Sequence, residues 1–227
     1  MSEIISAHHD YWDAFYASKE SGGVPEEPSA FARWTDERLG PDQVVLEFGF
    51  GTGRDSLWFA DRGHGVIGFD FAESAVGRAQ GEGDARSLPV KFVPLDLCDA
   101  DGVRSTAKEQ AEAHKSPAVY GRFLIHSLEA DGRGNLLDLA ATVLDDGGEL
   151  YLEFRTGQDQ GKQHVFGDEH FRVYLDPEVV VREVEERGGT VTDLEQGHGF
   201  AVYKTEDPHV ARIVARWTGS TIDSMEV

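Results

Sequence analysis

Three glycines at alternate positions, Gly49, Gly51 and Gly53, separate an apolar run, Val44 to Phe48, from a stretch with helical spacing, Ser56 to Ala60. The β-branched and aromatic residues of the first run predict a buried strand, so the glycines form a strand-to-helix turn. A backbone without Cβ atoms lets a ligand lie close against that turn, and the free N–H groups of the helix start attract acceptor atoms or negative charge. A second apolar run, Gly65 to Phe69, ends in Asp70, whose carboxylate can accept from both cis hydroxyls of a ribose. The combination predicts a nucleoside site.

A second group of chemistry-bearing residues lies downstream. "YGRFLIHSL" places Arg122 and His126 on an expected strand, where alternation gives them one face; "YLEFRTG" places Glu153 and Arg155 at the end of the next, and "DEHFRVYLD" adds His170, Arg172 and Tyr174. A guanidinium fork suits a carboxylate or phosphate, and a histidine titrates near neutral pH, so the group reads as an anion-binding pocket with His126 as base and Glu153 or Tyr174 as substitutes. Plainer roles exist for the same residues: Arg122 paired with Glu153, His126 as a core histidine, Arg172 paired with Asp168 or Glu169. Tyr11, Trp12, Phe15 and Tyr16 recur at helical spacing and are either helix packing or rings, Tyr16 among them, that cover the ligand.

The elements that must position these residues alternate. Helices are expected at Ile4 to Lys19, Ser29 to Leu39, Glu73 to Gln80, Val103 to His114, Gly134 to Leu144 and Pro177 to Arg187. Strands are expected at Lys91 to Leu95, Ala118 to Ile125 and Glu149 to Phe154, with an antiparallel pair, Thr190 to Glu195 and Gly199 to Lys204, at the end. This is a doubly wound α/β pattern. The 227 residues suit one domain, 1–227, with a helical cap over 1–40 and an insertion over 156–176 on the acceptor side. A formal charge of −21 argues against nucleic acid and anionic membranes as partners. The single cysteine, Cys98, excludes an internal disulfide and favours a reducing, cytoplasmic compartment; the start "MSEIISAHHD" lacks the regions of a signal peptide, and the histidine spacing predicts no metal.

"EFGFGTG" has an acidic-x-G-x-G-x-G pattern that resembles motif I of the class I S-adenosylmethionine-dependent methyltransferases. A nicotinamide enzyme would show G-x-G-x-x-G and a parallel final strand. "FGTGRDSLWFA", "VPLDL" and the Y-x-R-F-x-x-H-S and E-F-R strings resemble a bacterial branch of the family, with Phe50 standing where many relatives carry a smaller residue. The resemblance implies a Rossmann-like, three-layer α/β/α fold with a seven-stranded sheet and an antiparallel last strand. It implies S-adenosylmethionine as cofactor, with its amino-acid end held by Glu47, Gly49, Gly51, Gly53 and Arg54, its ribose by Asp70, and its adenine by Asp96 and Leu97. The expected reaction is O-methylation of a small-molecule or saccharide-like anionic acceptor. N- or S-methylation of a small metabolite and a non-catalytic cofactor-binding role stay open, as does assembly into a homodimer.

Overall fold

The computed structural model describes residues 11–17, 25–161 and 172–218. Residues 11–17 are helical (α1), followed by α2 (Ala30–Asp36), β1 (Val45–Phe48), α3 (Arg54–Asp61), β2 (Val66–Asp70), α4 (Glu73–Ala85) and β3 (Val90–Pro94). Then come α5 (Ala100–Ala113), β4 (Ala118–Arg122), α6 (Ala130–Val143), β5 (Glu149–Arg155), α7 (Pro177–Glu185), β6 (Thr190–Gly197) and β7 (Val210–Arg216). The sheet has seven strands in the order β3-β2-β1-β4-β5-β7-β6. The first five strands run parallel, while β7 runs antiparallel to both β5 and β6. This is the doubly wound, Rossmann-like sheet with a reversed strand at the end.

Local chemistry sets several boundaries. Ser29 caps α2 by accepting from the Ala32 N–H, and Asp176 caps α7 by accepting from the Glu178 N–H, with Pro177 in the first turn where a missing donor costs nothing. All four residues of β1 are buried, as a strand covered on both faces requires, whereas β6 is an edge strand without a fully buried residue. The strand order reverses between β1 and β4, and the crevice outside their carboxyl ends is where this topology leaves room for a ligand.

Two expected elements differ. Residues 199–204 form no strand: Gly199 (φ +85°) and Lys204 (φ +53°) take left-handed conformations, and the sheet is completed by Val210–Arg216. The fourth strand stops at Arg122, because Phe123 (φ +53°) turns the chain into a short 3₁₀ segment, Ile125–Ser127. Arg122 and His126 therefore do not share a strand face. The insertion expected over 156–176 falls partly on residues 162–171, outside the described residues, as do residues 1–10 and 18–24 of the expected cap. Among the described residues no helix is long and apolar enough to cross a membrane.

Candidate functional site

The glycine turn is built as its composition requires. Gly53 (φ +77°) is the N-cap of α3, and Gly51 (φ +58°) lies so close under α1 that a Cβ there would stand 2.5 Å from the Tyr16 hydroxyl. Asp70 holds the turn in place: Oδ2 accepts from the Gly51 N–H at 2.9 Å and Oδ1 from the Ala72 N–H at 3.1 Å. Burial raises its pKa, and those N–H groups oppose the shift. Glu47 is buried at the end of β1, accepts from the Ser56 hydroxyl, and is pushed well above the carboxylate range by burial and then by Asp55. Asp55 is no solvated partner of Arg54. It accepts from the Ser29 N–H (2.7 Å), the Ser29 hydroxyl (2.7 Å) and the Tyr120 hydroxyl (2.9 Å), which ties α2, α3 and β4 together, while Arg54 Nε lies 3.8 Å away.

Two cavities meet at this turn. The larger, about 450 Å³, is lined by Glu47, Gly49, Gly51 and Arg54 at one end and by Arg122, His126, Arg155 and Arg172 at the other. The smaller, about 90 Å³, is lined by Asp70, Asp96, Leu97 and Cys98. Trp12, Tyr16, Gly49, Phe123 and Ser127 line both. A ligand with a planar, apolar-faced base at one end and a zwitterionic amino acid at the other fits this paired shape: the ring end beside Leu97 and Asp96, the ribose beside Asp70, the amino-acid end over the glycine turn. Asp96 also caps its own turn, Oδ1 accepting from the Cys98 N–H at 2.8 Å, and the Leu97 carbonyl accepts from Asn135 Nδ2 at 2.8 Å. Burial and Asp96 push the Cys98 thiol up to about 11, so it lines the ring end as a neutral thiol. Burial, then the charge of Asp70, raises the pKa of Tyr16, so a neutral hydroxyl stands over Gly51.

On the other side of the larger cavity the predicted residues divide. Glu153 is fully buried between two arginines: it accepts from Arg122 Nε at 2.9 Å and from Arg212 Nε at 2.8 Å, and it does not line the cavity. Its expected catalytic role gives way to a positioning one. His126 lines the cavity, but its Nδ1 accepts from the Arg155 backbone N–H at 3.3 Å. A backbone N–H can only donate, so the lone pair of the neutral ring is committed there and Nε2 carries the hydrogen. This geometry makes His126 a donor, in place of the free base expected from the sequence. Arg155 donates to Asp159 at 2.8 Å and to Glu206 at 2.6 Å. Arg172 is held by a hydrogen bond to Tyr174, its Nε is buried without a partner, and burial followed by the charge of Arg155 lowers its pKa. Tyr174 does not line either cavity, and His170 lies outside the described residues.

The sequence reading missed three contributors. Phe123 has the guanidinium carbons of Arg122 and Arg155 at 4.2 and 5.2 Å from its ring centre, on a backbone whose φ of +53° is strained for a phenylalanine. Tyr203 and Glu206 reach the cavity from the β6–β7 connection. The expected strand over Gly199 to Lys204 hides Tyr203, and nothing local marks Glu206 beyond it. Among the described residues no group of acidic, histidine or cysteine side chains could hold a metal.

Residues 45–148 match the family model described as a methyltransferase domain. Solved structures share the fold. A methyltransferase dependent on S-adenosylmethionine from Anabaena variabilis superposes with a TM-score of 0.70 at 17% identity, covering 92% of this chain and 94% of its own. One from Methanosarcina mazei gives 0.65 at 15% identity, with 82% and 98% covered. The 1,6-didemethyltoxoflavin-N1-methyltransferase of Burkholderia thailandensis, solved with its substrate and S-adenosylhomocysteine, gives 0.63 at 19% identity, with 96% and 86% covered. No curated protein matches the sequence significantly. Residues 45–148 thus resemble a methyltransferase domain, the chain shares the fold of solved S-adenosylmethionine-dependent methyltransferases, and the paired cavities fit that cofactor.

Proposed function

We propose that this chain is an S-adenosylmethionine-dependent methyltransferase that acts on an oxygen of a small anionic acceptor with a ring-bearing or saccharide-like body. The observation that carries the reading is the set of four guanidiniums, those of Arg54, Arg122, Arg155 and Arg172, around one cavity in a chain of formal charge −21. Solvation accounts for surface charge but not for arginines gathered in a cleft, and a planar fork recognises carboxylate and phosphate. Three of these arginines, Arg54, Arg122 and Arg155, belong to the G-T-G-R-D-S, Y-x-R-F-x-x-H-S and E-F-R strings, which supports assigning the chain to that bacterial branch.

S-adenosylmethionine, when bound, supplies an electrophilic methyl group on sulfonium. Glu47, the glycine turn, Arg54 and Asp70 hold and orient it, and Trp12 and Tyr16 of α1 cover the junction of the two cavities and exclude water. Arg122, fixed by Glu153, and Arg172 orient the acceptor anion, while His126 donates from Nε2 to the acceptor. Of the carboxyl groups that line the cavity, Asp55 is committed to Ser29 and Tyr120, Glu206 to Arg155 and Glu47 to its neutral form, while Glu27 is exposed at the rim beside Arg33. An acceptor oxygen that arrives already ionised needs none of them as base, which favours O-transfer to an acidic group.

The test is production of S-adenosylhomocysteine from matched acceptors, each acid beside its neutral amide or ester. Acids should turn over at least about tenfold better, a difference one charge-assisted hydrogen bond can supply. Equal turnover of the neutral partners, or preference for an amine or thiol of the same skeleton, overturns the reading.

A further inference from the structure

Among the described residues Arg155 donates to two carboxylates, and these differ in kind. Asp159, which accepts from Nη1 at 2.8 Å, is fully buried, and its other oxygen accepts from the His209 N–H at 3.1 Å. It is scaffold. Glu206, which accepts from Nη2 at 2.6 Å, comes from the connection between β6 and β7, and its side chain is 13% exposed on the wall of the larger cavity. That connection is a small surface flap. Tyr203 and Glu206 exchange two backbone hydrogen bonds of 2.9 Å across a tight turn with Lys204 at φ +53°, and Val202 beside them is 61% exposed at the cavity wall.

A carboxylate held on a guanidinium inside this arginine-lined cavity has the chemistry of an acceptor's own anionic group. Arg172 lines the same cavity, close enough for its charge and that of Arg155 to act on one another, and its Nε is buried without a partner. Two guanidiniums thus act on the Glu206 carboxylate, which is carried on a partly exposed turn.

We infer that Glu206 is an internal stand-in for the acceptor's anion: a carboxylate or phosphate on the acceptor replaces it on Arg155, Arg172 adds a further hydrogen bond, and the 202–207 turn moves outward. This rests on the reading of an anionic acceptor and adds to it a selectivity filter. A neutral compound has nothing to exchange for Glu206 and meets a cavity narrowed by the closed turn, so rejection is built in alongside attraction. The apparent affinity for the correct anion is the intrinsic affinity multiplied by the fraction of molecules in which the turn is open.

Inorganic phosphate is the probe, titrated calorimetrically into the full chain saturated with S-adenosylhomocysteine. With the closed pair dominant by about ten to one, Glu206→Gln should bind phosphate about tenfold more tightly than the wild type. Equal affinity overturns the stand-in while leaving the anionic acceptor intact. Failure of both proteins to bind removes the anion site itself, and the inference falls with it. Hydrogen exchange on the wild type makes the test independent of how the variant folds: amides of 202–207 should exchange faster when phosphate is added, and an unchanged pattern overturns displacement of the turn.

Discussion

Asp70 does two things with one carboxylate. It accepts from Gly51 and Ala72, which fixes the glycine turn, and it faces the smaller cavity, where ribose hydroxyls would supply further donors. Hydrogen bonds to a charged group contribute about 1.5–3 kcal/mol each, so Asp70→Ala should weaken S-adenosylhomocysteine at least about tenfold. Calorimetry that returns an unchanged dissociation constant would take Asp70 out of the cofactor site. Glu47 makes a prediction about pH. Burial and then Asp55 hold its pKa well above the usual range, so the folded protein keeps this proton to higher pH than the unfolded chain does. Its contribution to stability is complete below about pH 4.3, the unfolded carboxylate range, and is lost as pH climbs through the folded pKa. Glu47→Gln stays neutral and should lose less stability than the wild type over that rise. Urea unfolding at a series of pH values measures the gap, and parallel curves would mean that Glu47 is ionised in the fold.

The elements show which parts of the site could be read from residue order alone. The β1 strand, glycine turn, α3 and β2 were legible because strand periodicity, the glycine spacing and a terminal aspartate all lie within one local stretch. The last strand was not. Val210–Arg216 carries Arg212 at its centre, a residue that argues against burial until Glu153, its register partner on β5, is known to neutralise it. The same non-local contact decides the fate of Arg122, which sequence alternation alone assigned to a catalytic face. A buried ion pair broken from one side costs about 3–5 kcal/mol, because the remaining charges lose their partner. Glu153→Gln leaves two arginines facing one another and should lower the melting temperature by roughly 10 °C, at about 2–4 °C per kcal/mol for a chain of this size. Turnover per folded molecule should fall far less than the 10²–10⁴, roughly, expected for a lost base. A variant that melts normally but is inactive would restore Glu153 to the chemistry.

Charge acts at the scale of the whole molecule. The chain carries 42 acidic against 21 basic side chains, yet its cavity is rimmed by arginines, so long-range and short-range fields oppose one another. A cationic cofactor is drawn in by the long-range field, whereas S-adenosylhomocysteine, a zwitterion without the sulfonium charge, is indifferent to it. The Debye length falls from about 30 Å at 0.01 M salt to about 8 Å at 0.15 M, so only the distant component is removed by modest ionic strength. S-adenosylmethionine should therefore associate about tenfold faster than S-adenosylhomocysteine at the lower salt, with the ratio approaching unity as salt rises. An anionic probe such as phosphate should show the reverse trend and associate faster as salt screens the acidic surface. Stopped-flow tryptophan emission can follow both, since Trp12 lines the two cavities. If the two cofactor forms associate at equal rates across the salt range, the acidic surface does not govern approach to the cleft and the arginines at its wall set the field there.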